Sequence, residues 1–149
     1  MKPGLPSKHP SKQKGAAAIE FAAVFVIFFA VFYGLVSYSL PLLMMQSFNQ
    51  ATAEAVRRAV AVDPNSANYA TTVQNLANSV VQAQTLWIPS LFNFAATDYS
   101  SVYANGVLTV RIDYPTSKLT QVLPLLVLPV VGPVPNLPTT LSALSSVQF

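Results

Sequence analysis

Residues Lys14 to Val36 read KGAAAIEFAAVFVIFFAVFYGLV, and the fold turns on this stretch. A bilayer core of about 30 Å takes about 20 apolar residues as helix. Ala16 to Val36 supplies such a run with Glu20 as its sole interruption, and no charged residue occurs from Phe21 to Ala53. Phe and Val fill every face, whereas a surface helix of a soluble domain keeps one polar side. The stretch therefore predicts a membrane-spanning helix. Polar residues return gradually at Ser37, Ser39, Gln46, Ser47, Asn49 and Gln50, as in a helix climbing out of lipid. A cleaved secretory signal has an apolar region of roughly 7–15 residues followed by a small-residue cleavage site. This run is longer and no such site follows it promptly, so the competing reading is an uncleaved signal anchor with an extracytoplasmic binding head.

Working outward towards the N-terminus, Lys2, Lys8, Lys12 and Lys14 precede the helix with no acid among them. The remainder sets Arg57, Arg58, Arg111 and Lys118 against Glu20, Glu54, Asp63, Asp98 and Asp113. The formal charge of +3 thus belongs to the leader and not to the body. A nucleic-acid interface needs its basic patch on the folded body, so that class of partner is excluded. Lysines ahead of an apolar helix favour a cytoplasmic N-terminus. Lys8, Lys12 and Lys14 are the residues expected to set this topology, with everything after about Leu43 outside the cytoplasm. Pro3, Gly4, Pro6 and Pro10 predict an unfolded leader.

Glu20 needs an explanation of its own. A carboxylate one turn into a membrane segment costs a few kcal/mol. If the chain is cut after Gly15, Ala16 becomes the new terminus, and its α-amino group, with a pKa of about 7.7–8.0, is largely cationic. Glu20 is then the fifth residue and can pair with that amine, in its own chain or a neighbour's. A glycine at the cut leaves the scissile backbone open to approach. The plainer alternatives are a Glu20 that reaches the cytoplasmic interface and a Gly15 that only marks the edge of the leader.

A basic leader, a glycine, four small or apolar residues, Glu-Phe and a long apolar helix resemble type IV prepilins. KGAAAIEFAAVFVIFF, together with FNQATAEAVRRAVAV from Phe48 to Val62, resembles more specifically the TadE-like proteins of the tight-adherence (Tad, type IVc) pilus. The resemblance implies a minor pseudopilin cut by a prepilin peptidase. It makes Gly15 the last leader residue, Ala16 the mature N-terminus, Glu20 the pilin glutamate and Phe21 its motif neighbour. It implies as partners the prepilin peptidase, other pilins or pseudopilins, the inner-membrane assembly platform and membrane lipid. It also implies a single-pass protein of the inner membrane whose head is periplasmic or extracellular. Main Tad pilins are usually much shorter, which argues for a minor role.

Beyond the span, the first helix is expected to continue to about residue 62, with Gly34 and Pro41 as bend points. Glu54 is placed to reach Arg57 and Arg58 at i+3 and i+4, and Asp63-Pro64-Asn65 ends the helix. Val73, Leu76, Ala77, Val80 and Val81 recur at helical spacing and predict a second helix over about 66–86. Asn105-Gly106 predicts a two-residue hairpin turn over about 98–114. In that register Tyr103 faces Leu108, Ser101 faces Val110 and Tyr99 faces Ile112. The opposite face carries Arg111 diagonal to Asp98, beside Asp113, as a surface ion cluster. Residues 123–138, with prolines at 124, 129, 133, 135 and 138, read as an extended loop, and 141–149 as a third strand. The expected fold is α+β: a leader over 1–15, a membrane helix over 16–45, and a head over 46–149 with a second helix and a small antiparallel sheet.

The chain has no cysteine, and its single histidine, His9, lies in the leader. Disulfides, thiolate metal sites and histidine-based triads are thereby excluded. No glycine-rich phosphate loop is present. The expectation is a protein that is not an enzyme, holds neither cofactor nor metal, and serves as the substrate of one.

Overall fold

The computed structural model describes residues 13–123, 126–128 and 132–149. Lys2, Lys8, Lys12 and His9 therefore lie outside the described residues, as does part of the proline-rich stretch. The first element is helix α1, Gln13–Ala59, which runs without interruption through Gly34 and Pro41. Helix formers and large apolar side chains fill it, and Pro41 removes only one backbone donor. The chain divides into two compact units between Val36 and Ser37, and α1 contributes to both.

In the first unit the side chains from Ile19 to Val36 stand outward on all faces. Ile19 is 74% exposed and Phe21 70%. Its aromatic rings stack at i, i+4 spacing, with Phe21–Phe25 centroids 6.1 Å apart and Phe25–Phe29 centroids 6.3 Å apart.

The second unit is the head, and it begins earlier than residue 46. Ser37 and Met44 are already buried in it, so the part of α1 expected to lie wholly in lipid overlaps the head's core. Met44, Phe48, Ala51, Ala55 and Ala59 repeat every three or four residues and are all fully buried. Helix α2, Tyr69–Thr85, packs Val73, Ala77, Val80 and Val81 into the same core. This is the expected stripe except for Leu76, which is only partly buried. The helix starts after Asn68, whose φ of 61° is a left-handed value that asparagine tolerates.

A three-stranded antiparallel sheet closes the core, in the order β1-β2-β5. Strand β1 is Tyr99–Ala104, β2 is Val107–Pro115 and β5 is Thr140–Gln148. Asn105 and Gly106 both take positive φ, 51° and 76°, the geometry of a hairpin turn whose twist matches its strands. Tyr99 pairs with Ile112, Ser101 with Val110 and Tyr103 with Leu108, the register expected from that turn. Leu108, Val110, Ile112 and Tyr114 alternate along β2 and are fully buried. Tyr69, Tyr103 and Phe149 meet edge to face at one end, with centroids 5.5 to 5.8 Å apart.

The segment between β2 and β5 is more structured than an extended loop. It holds a short helix α3, Thr116–Thr120, and a small hairpin of β3, Leu126–Leu128, with β4, Gly132–Val134. Gly132, at φ 92°, supplies a conformation that other residues rarely adopt.

Candidate functional site

Gly15 and Ala16 lie in the first turn of α1, which starts at Gln13. The first four N–H groups of a helix have no intrahelical acceptor, so this peptide bond is held by little. A Cβ built on Gly15 meets nothing within 4 Å. The folded chain itself therefore makes no demand for glycine here. Glu20 is four residues after Ala16, on the same face of the helix and exposed. Phe21 is exposed beside it and begins the aromatic ladder. Of the expected topology-setting residues, Lys8 and Lys12 fall outside the described residues, and Lys14 is placed in the first turn of α1.

The helix beyond this junction is long and apolar enough to cross a membrane, and none of its most apolar window is buried. Removing a large apolar side chain from water is worth about 1.5–3 kcal/mol. The outward-facing run from Ile19 to Val36 thus demands an apolar surrounding worth tens of kcal/mol in total, roughly.

The head's ionic groups are arranged differently from the surface cluster expected. Asp98 is 4% exposed and accepts two hydrogen bonds from Lys118 Nζ, at 2.6 and 2.8 Å, and one from the Ala95 N–H at 2.8 Å. Lys118 also donates to the Asn93 carbonyl at 3.1 Å. Arg111 does not serve Asp98; it pairs with Asp113, which also accepts from Ser142 Oγ at 2.8 Å. Arg111 holds the Asp113 carboxyl below its ordinary range. Lys118 reaches Asp98 across 20 residues of sequence, which no local spacing reveals. Glu54 does pair with Arg57 and Arg58, at 2.7 and 2.6 Å. Their hydrogen bonds, Arg57 first, lower its pKa to about 2.

Two further contacts tie the head to α1 and were not foreseen. Trp87 Nε1 donates to Ser47 Oγ at 2.8 Å. The Asn136 N–H donates to Tyr38 Oη at 2.8 Å.

Residues 15–57 match the family described as TadE-like protein. Over that stretch the chain is TadE-like. The match opens at Gly15, covers Glu20 and the apolar helix, and closes at Arg57 of the small-residue segment. The α+β architecture, with a long N-terminal apolar helix, a second helix and a small antiparallel sheet, accompanies it. The matched segment is similar to TadE-like proteins, and the helix it covers is long and apolar enough to cross a membrane. No curated protein and no solved structure matches the chain; α2 and the sheet lie beyond the TadE-like segment.

Proposed function

We propose that this protein is a minor pilin-like subunit, a pseudopilin, that takes part in assembling a Tad-type adhesive pilus after a prepilin peptidase cuts it between Gly15 and Ala16. The observation that carries the reading is the TadE-like match over residues 15–57, which sets Gly15 and Glu20 at the head of an uncovered apolar helix. A glycine that the folded chain does not itself require fits one required by a protease. The leader is retained on the cytoplasmic side, α1 spans the inner membrane, and the head stands in the periplasm or outside the cell. Other pilins or pseudopilins and the inner-membrane assembly platform are the partners. The protein is a substrate and not an enzyme: Asp98 and Asp113, its closest approach to a carboxylate pair, are each engaged by a cation of their own.

Intact mass and N-terminal sequencing of the protein co-expressed with a Tad prepilin peptidase test this directly. The expected product starts at Ala16. Gly15→Leu, which nothing in the fold opposes, should leave the protein in the membrane and uncut. A mature protein that still starts at Met1 or Lys2 supports a signal anchor with a binding head and refutes the pilin-like reading.

A further inference from the structure

The sheet β1-β2-β5 has two outer strands, and they are finished differently. Strand β1 is six residues long and has α2 against it: Ser101 Oγ donates to Asn78 Oδ1 at 2.8 Å, and Tyr69 meets Tyr103 edge to face. Strand β5 is nine residues long and pairs with β2 one to one from Thr140 to Gln148, without a bulge. Unpaired N–H and C=O groups on an edge invite another strand, and proteins blunt such edges with short strands, charges, prolines or bulges. β5 has none of these, and no charged residue occurs in Leu119–Phe149.

The ladder tells which groups of β5 are unpaired. Opposed residues in an antiparallel pair alternately exchange two hydrogen bonds and none. The Phe149 N–H donates to the Gly106 carbonyl at 2.8 Å, and the Thr116 N–H to the Thr139 carbonyl at 3.0 Å. Both bonds continue the β2–β5 register, one at each end, so the odd-numbered residues of β5 are the ones bonded to β2. The N–H and C=O groups of Thr140, Ser142, Leu144, Ser146 and Gln148 therefore point along the open edge. Among the described residues no backbone group bonds to them.

The side chains say what fits there. Thr140 to Gln148 reads TLSALSSVQ, nearly the same from either end in size and polarity. Turned end for end about Leu144, the strand sets Thr140 against Gln148, Leu141 against Val147, Ser142 against Ser146, Ala143 against Ser145, and Leu144 against itself. Apolar meets apolar, hydroxyl meets hydroxyl, and no charges oppose. Leu141 is buried on the core side and Val147 is partly buried against the same core, whereas Leu144 is 57% exposed on the outer face. In this register the outward-pointing residues of the two strands oppose one another. They supply about ten main-chain hydrogen bonds, as many as a typical interface carries.

We propose that β5 is a dimerisation edge, where a second copy of this chain adds its own β5 antiparallel about a two-fold axis at Leu144 to give a six-stranded sheet. A two-fold contact requires a surface complementary to itself, and the palindromic pattern of β5 provides one. The outer strands of the joined sheet are then the two β1 strands, each with α2 against it, so the assembly stops at two copies. The inference goes beyond the pilin-like reading and depends on neither the cut at Gly15 nor the membrane.

The full-length protein in a neutral detergent tests it. Ser100, Arg111 and Leu144 stand in one line across the sheet, and the chain has no cysteine. A spin label on Ser100→Cys should therefore report a label on the partner across five strand spacings, about 24 Å. Ser146→Pro removes only an outward N–H and should abolish that distance. Leu144→Lys and Leu144→Glu, at an exposed site, should each weaken the dimer about tenfold by opposing like charges, and mixing the two should restore it. This second pair of variants decides the matter if Ser146→Pro does not fold. A Ser100 distance that survives Ser146→Pro, or charge variants that do not rescue one another, places the contact elsewhere and overturns the proposal. So does a protein that stays monomeric across a dilution series, which leaves the edge to a different chain.

Discussion

Glu20 is exposed, and among the described residues it forms no salt bridge. Cutting after Gly15 creates an ammonium one helical turn away. If that pairing serves assembly, Glu20→Gln should be inserted and cut like the wild type, since removing a carboxylate from lipid saves a few kcal/mol. What it should lose is pilus output and co-purification with other pilins, because the new terminal charge then has no partner. Assembly at wild-type level would make Glu20 a mere interfacial residue, and failure of the cut would assign it to peptidase recognition instead. Glu54 is ordinary by comparison, and its effect has a definite sign. Its folded pKa is about 2 against an ordinary 4.5. A depressed carboxylate stabilises the fold above its unfolded pKa, and that contribution fades as pH falls through the window. Amide exchange over Glu54–Asp63, followed from about pH 5 to pH 2, should show the end of α1 loosening as Glu54 protonates. Glu54→Gln should flatten that dependence; an unchanged slope in the variant would place its origin elsewhere.

At the scale of elements, the Asp98–Lys118 pair joins the turn before β1 to α3, and with Asn93 it fixes the loop between them. Removing one partner of a buried pair costs about 3–5 kcal/mol, because a charge is left behind. Lys118 keeps a quarter of its side chain in water, so Asp98→Asn should fall at or below the low end of that range. Adding Lys118→Met should recover most of the loss, as read in denaturant midpoints. Equal losses in the single and double variants would show that the Asp98 hydrogen bond to the Ala95 N–H, and not the ion pair, is what matters. Such pairs also mark where reading the sequence stops. The Asn105-Gly106 turn carries its own backbone requirement, so the β1–β2 register follows from two residues. The stripe of α2 is legible because helical period is local, and so is the Glu54–Arg57 pair. Asp98–Lys118, Trp87–Ser47 and Asn136–Tyr38 join residues 20 to 98 positions apart. Nothing in local spacing announces them. The β3–β4 hairpin stayed hidden because its prolines read as breaks, although β-edges tolerate proline. The TadE-like segment and its apolar helix were legible for a different reason: the residues that carry the resemblance follow one another closely in the chain.

For the whole molecule, the leader lysines predict one orientation. A reporter fused after Phe149 should be active only if it is of a kind that works outside the cytoplasm, and replacing Lys2, Lys8, Lys12 and Lys14 with Glu should scramble or weaken insertion. Activity of a cytoplasm-only reporter at that position would reverse the topology. The head's construction then sets an order of events. Its central strand, β2, takes its second partner from β5, the last strand in the chain, after the intervening 116–139 have been passed over. Thr52 on α1 is likewise bonded to Ser145, 93 positions later. Contacts this distant in sequence close slowly. As the chain emerges N-terminus first, the core-facing residues of α1 and one edge of β2 are made long before anything can cover them. The growing head is therefore an open sheet, vulnerable to pairing with a neighbour until Thr140–Gln148 arrives. Quality control of this protein is thus a matter of timing, because a holding chaperone would have to bridge the interval between the first helix and the last strand.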